Sequence, residues 1–201
     1  MAFRSTREDW GAVAKTLHWA MAIGVLTMLA CGVAMVRFLD GSLGLKFSVY
    51  QFHKSLGFVL LCLAAVRLSW RLVSVERPIL PPGLKPHEHW LAAAVHTGLY
   101  VCLCALPLVG WGAASASPLN IPTTVFGLFT LPRLVGPNAA VEHILIEAHT
   151  FLAWSLTGLF VLHVGGALWH HVVRRDDALR RMLPGKPPGS RARPVFDRLD
   201  S

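Results

Sequence analysis

Ten histidines are spread along this chain. Four of them, His18, His53, His149 and His163, fall inside long apolar runs, where an ionisable side chain is costly and is by default a functional candidate. The spacing of the last two carries the argument. Fourteen residues at 100° apiece leave the second side chain about 40° behind the first, four turns and about 21 Å further along a helix. Both would face one interior stripe at different depths, so one helix could lend an axial ligand to each of two stacked haems. Each haem then needs a second histidine. No Cys-x-x-Cys-His occurs, so two haems here would be b-type, held without thioether bonds. Taken singly, a helix histidine is more often a hydrogen-bonded core residue than a ligand. Taken together without haem, they read as a proton relay or metal path in a transporter, which predicts a protein with no Soret band.

The elements that must position these rings follow from composition. Of the 201 residues, 54% are hydrophobic and 15% charged, far more apolar than a water-soluble domain. Apolar runs at Thr16 to Val36, Val49 to Leu68, Trp90 to Ala113 and His143 to Val173 each reach the roughly 20 residues that a spanning helix needs. The expected fold is all-α, an integral membrane four-helix bundle of up-down-up-down topology with two haems in its core. The first run follows Arg4, Arg7 and Lys15 like a signal peptide, but it is too long, lacks a cleavage pattern and carries His18, so it reads as a retained helix. Cys31, Cys62, Cys102 and Cys104 all lie in apolar runs and read as small buried side chains. Residues 1–184 are expected to form the membrane domain and 185–201 a flexible basic tail. The connection from Ser115 to Ala140, with its strip Val125-Phe126-Gly127-Leu128-Phe129, reads as a structured loop on the membrane surface.

Charge sets the orientation. Fifteen of the nineteen lysines and arginines fall at the N-terminus, in the second connection and in the C-terminal tail, whereas Arg37, Lys46, Lys54 and Arg133 fall on the other side. The positive-inside rule puts both termini in the cytoplasm. It also accounts for the net charge of +8 without nucleic acid. His18 then lies at the inner level with His163, and His53 at the outer level with His149, which fixes the two pairs. Arg67 stands fourteen residues after His53 and shares its face at the cytoplasmic level, where it could pair with inner-haem propionates or serve as a positive flank. Lys46 and Lys54 could do the same for the outer haem. His96 could reach a propionate or merely pack, and His87, His89 and His143 read as exposed. Glycines at 32, 57, 158, 165 and 166 could clear space for a flat macrocycle or serve ordinary helix packing.

On these residues the chain resembles the bacterial cytochrome b561 family, whose members include a superoxide oxidase that reduces ubiquinone. The resemblance rests on Leu17-His18-Trp19, Phe52-His53-Lys54-Ser55-Leu56-Gly57, Val66-Arg67-Leu68-Ser69-Trp70-Arg71, Ala105-Leu106-Pro107-Leu108-Val109-Gly110, Phe126 to Pro132, His149 to His171 and Arg181-Met182-Leu183-Pro184. It implies two haem b groups on His18, His53, His149 and His163 in a bacterial inner membrane. It also implies ubiquinone near the cytoplasmic haem, with Trp19 and His170 beside it. His170 lies seven residues after His163 and shares its face, so it could accompany quinone reduction with a proton; Trp19 could equally be an interfacial belt residue. The expected activity is electron transfer from an outer donor, possibly superoxide, to ubiquinone. The alternative is an electron-transfer subunit, not a complete enzyme, that serves a periplasmic redox partner through the loop Ser115 to Ala140.

Overall fold

The computed structural model describes residues 3–7, 9–39, 41–74, 76, 78 and 85–184. Its helices are α1 (Ala12–Arg37), α2 (Leu43–Val73), α3 (Pro86–Ala116) and α4 (Ala139–Val172). All four are long and apolar enough to cross a membrane. Backbone packing is concentrated between α3 and α4, between α1 and α2, and between α2 and α3, the neighbours of an up-down-up-down bundle. The tail 185–201 lies outside the described residues.

The helices outrun their apolar stretches at both ends, except that α4 stops at Val172, one residue short of its run. Lys46 and Phe47 belong to α2, Trp70 and Arg71 still belong to it, and His87 and His89 sit in the first turn of α3 rather than in a connection. Hydropathy falls off where hydrocarbon ends, but the backbone ladder continues until something caps it. At α3 the stop is Pro86 in the first turn, with Glu88 Oε2 accepting from the Lys85 amide at 2.8 Å. At α4 it is Asn138, whose Oδ1 accepts from the amides of Ala140 and Val141, the usual use of Asn at an N-cap.

Between α3 and α4 the chain folds into a small hairpin of β1 (Thr124–Val125) and β2 (Phe129–Thr130), paired antiparallel with Thr124 opposite Thr130. Its turn places Phe126 at φ 47° and Gly127 at φ 74°, the positive values that tight hairpin turns favour. For Phe126 that conformation costs about 1–2 kcal/mol. Ser55 of α2 offsets it. Ser55 Oγ accepts from the Phe126 amide at 3.0 Å and shares its own proton between the carbonyls of Gln51 at 2.8 Å and Thr124 at 3.1 Å. The Phe126 ring meets Phe52 edge-on at 6.0 Å. The hairpin is thereby fastened to α2 within a turn of His53.

The other end of the bundle carries both flanking segments. Residues 3–5 fold back over Gly11, whose amide donates to Ser5 Oγ at 3.2 Å, and Phe3 packs edge-on against Trp70 at 5.8 Å. Lys15, counted above among the basic flanks, is buried and paired with Asp9 at 2.9 Å. After α4, a 3-10 turn at Arg180–Met182 brings the Met182 carbonyl to 2.8 Å from Trp19 Nε1. Two apolar clusters fill the middle, one around Val25, Cys102, Leu106 and Leu156 and one around Met21, Leu60 and Ala64.

Candidate functional site

The four membrane histidines meet in two pairs. The rings of His18 (α1) and His163 (α4) have centroids 6.0 Å apart, and those of His53 (α2) and His149 (α4) 6.3 Å apart. The first pair lies at the end that carries the two flanking segments and the second at the hairpin end. Val25, Leu156 and their neighbours form an apolar layer between them. The helices that supply each pair are not among the closely packed ones among the described residues, so the backbone leaves room where the rings face one another.

An imidazole nitrogen bonds a first-row metal at about 2.0 Å and lies about 1.2 Å from its own ring centre, so two imidazoles on opposite sides of one iron would put their centroids about 6.4 Å apart. Both pairs match that spacing. His96 also approaches His163, at 5.2 Å, closer than two imidazoles on opposite sides of one iron would stand. His53 Nδ1 is buried with no hydrogen-bond partner, an open account that a native site is expected to close. His149 is positioned from α3: its Nδ1 lies 3.2 Å from the Leu106 carbonyl. Donation from Nδ1 would leave Nε2 as the coordinating nitrogen, the usual arrangement around a metal-bound histidine. Gly110 lies against the same ring, and a Cβ there would stand 3.0 Å from His149 Cε1. The donor set and its spacing fit a haem iron at each level.

The family profile for prokaryotic cytochrome b561 matches residues 9–185. The chain belongs to that family. Cytochrome b561 homolog 2 of Escherichia coli (strain K12) is 34% identical over 183 residues, covering 91% of this chain and 95% of that protein. Cytochrome b561 homolog 1 of the same strain is 27% identical, over 84% of this chain and 93% of its own length. A protein of Yersinia pestis named probable superoxide oxidase CybB is 31% identical over 67% of this chain and 74% of its own. Membership makes the chain a multi-pass bacterial inner-membrane protein of transmembrane electron transfer and carries haem b with it.

Within this cytochrome the remaining candidates are already engaged. Arg67 Nε donates to the Tyr100 hydroxyl at 3.1 Å, and Arg71 lies over the Tyr100 ring at 5.7 Å. Trp19 meets His18 edge-on at 5.5 Å while its indole N–H donates to Met182. His170 Nδ1 lies 2.6 Å from Asp176 Oδ2. Lys54 donates to the Pro122 carbonyl at 3.3 Å, beside Gln51, so it braces the hairpin. His143 faces Glu147 at 3.6 Å in the open. Gly57 is buried with Met28 Cε 3.4 Å from where a Cβ would stand, whereas Gly32, Gly158, Gly165 and Gly166 face open space. Sequence reasoning missed Gly110, Tyr100 and Asp176. Gly110 had a usable signal, since it closes the Ala-Leu-Pro-Leu-Val-Gly run quoted above. Asp176 had none beyond an acidic pair in a basic stretch.

Proposed function

We propose that this chain moves electrons from a donor outside the inner membrane to ubiquinone at the cytoplasmic side, with one haem b held by His18 and His163 and a second by His53 and His149. The carrying observation is the pair of ring separations, 6.0 and 6.3 Å, at two levels of one bundle. When bound, haem b would supply reversible one-electron transfer, and two histidines committed to each iron would leave no vacancy for oxygen binding. Leu106 and Gly110 hold His149 in its orientation, and the apolar layer around Val25 and Leu156 keeps water from the space between the levels. Arg67, held through Nε by the Tyr100 hydroxyl, would offer its two terminal nitrogens to carboxylates at the inner level. Trp19 and His170 flank the place for a quinone head.

Both termini are assigned to the cytoplasm by the excess of lysine and arginine there, with residues 1–184 as the membrane unit and 185–201 as its basic tail. Electrons moving inward against an inside-negative potential lose up to about 2.3 kcal/mol per 100 mV. The outer donor must therefore be strongly reducing. Superoxide is the donor we favour: it is small and anionic, Arg37, Lys46, Lys54 and Arg133 share the outer side and would steer it, and one relative carries a superoxide oxidase name. A second reading has a protein donor in the periplasm, docking on the hairpin, whose tip leaves Leu128 81% exposed.

Stopped-flow mixing of the purified protein with superoxide and a ubiquinone separates these. Fast, quinone-coupled reduction of the bound haem by superoxide alone supports the first; reduction that needs an added periplasmic protein supports the second. His149→Ala and His163→Ala are each expected to lower the haem-to-protein ratio from two toward one. A ratio that stays at two in either variant overturns the ligand assignment.

A further inference from the structure

A run of charged side chains at the cytoplasmic end belongs to neither histidine pair. Glu88 Oε2, at the start of α3, accepts from Arg174 NH1 at 2.7 Å, and Arg174 Nε lies 3.8 Å from Asp176 Oδ2. That same oxygen stands 2.6 Å from His170 Nδ1. All four side chains are largely sheltered, between 17% and 26% exposed. Asp176 is anchored further: its Oδ1 accepts from the Ala178 amide at 3.0 Å, and its own amide donates to the His170 carbonyl at 3.1 Å. A carboxylate can only accept, so the contact fixes a proton on Nδ1 and leaves Nε2 as the nitrogen that exchanges one with its surroundings. The segment that holds Asp176 continues to Met182, which holds Trp19, and Trp19 stands edge-on to His18. One short stretch of chain thus holds both His170, through Asp176, and Trp19, through Met182.

We propose that Asp176 is a positioning residue for proton delivery to the quinone: it orients His170 and supports the imidazolium that gives up its Nε2 proton. This rests on the reading that a quinone is reduced at this end. Each quinone gains two electrons, arriving singly from the membrane interior, and two protons. For a proton passed by His170, the Nε2–H bond breaks and an O–H bond forms on a quinone oxygen; the ring is left neutral with Nδ1–H still on Asp176, and it regains its proton from cytoplasmic water. Asp176 keeps its charge throughout. Its role matches that of the carboxylate that steadies a catalytic imidazole in hydrolytic triads.

The test compares two electron acceptors. Full-length, haem-loaded protein is reduced with dithionite and mixed either with decylubiquinone, which needs protons, or with ferricyanide, which takes an electron without one. Asp176→Asn is expected to slow reoxidation by decylubiquinone at least about tenfold, within the range of lost general-acid catalysis, to leave ferricyanide within about twofold, and to be largely rescued by Asp176→Glu. In ¹⁵N-histidine NMR the protonated Nδ1 signal of His170 is expected in the parent protein and lost in Asp176→Asn. Equal slowing with both acceptors, or no slowing with decylubiquinone, overturns the proposal. Should Asp176→Asn fail to load haem, His170→Gln must give the same acceptor-dependent split, and equal rates there overturn it too. If the parent protein is not reoxidised by decylubiquinone, it is the quinone reading itself that falls.

Discussion

His149 shows how closely one ring is governed by its neighbours. Its Nδ1 is engaged by Leu106, and Gly110 lets the Cε1–Nδ1 edge of the ring come close to α3. Gly110→Ala would place a methyl 3.0 Å from Cε1 and 3.1 Å from Nδ1, tighter than ordinary contact, so the ring must tilt away. The expected outcome is loss or weakening of one haem, read as a haem-to-protein ratio falling from two toward one; an unchanged ratio and spectrum would show that the bundle absorbs the methyl. The four histidines themselves were legible because helical geometry turns sequence spacing into depth and direction. Their supports were not. Leu106 acts through its backbone carbonyl, which no side-chain pattern encodes, and Asp176 acts through a turn whose path appears only once the chain is folded.

At the scale of elements, the hairpin is fastened by a single hydroxyl. Ser55→Ala removes the acceptor for the Phe126 amide in a position where Ser55 is 1% exposed. Leaving that amide unsatisfied costs about 1–3 kcal/mol, added to the strain already held by Phe126. Hydrogen exchange at the Phe126 amide is expected to speed up markedly while the four helices keep their protection; unchanged exchange would mean the hairpin holds itself. Asn138→Ala should cost about 1 kcal/mol by leaving two amides of α4 uncapped, seen as a lower unfolding temperature. The four helices could be read from hydropathy, and the loop between α3 and α4 as ordered. Its strand pairing could not, because two-residue strands carry too little pattern to announce themselves. Apart from the end of α4, helix ends were set too short for the reason given by their caps: apolar runs report the membrane, not the hydrogen-bond ladder.

For the whole molecule, charge and layering agree. Among the described residues, the lysines and arginines gather at the end where the flanking segments pack, and the two histidine levels lie on either side of one apolar layer. A reporter fused after residue 201 is therefore expected to show cytoplasmic topology, and export of that reporter would invert the assignment of donor and acceptor sides. The asymmetry was legible in the sequence, although the count included Lys15, which the fold pairs with Asp9 and buries. An internal pair of that kind adds little to the field that orients insertion.

The bond from Trp19 to Met182 joins the first helix to a turn more than a hundred and sixty residues later. Because synthesis proceeds from the N-terminus, α1 waits in the bilayer until all four spans and the turn that follows them have been made before this indole is satisfied. Closure of that end thus follows the making of every span. A nascent chain halted just after α4 would contain every span and all four membrane histidines, yet it would lack the closure beside His18.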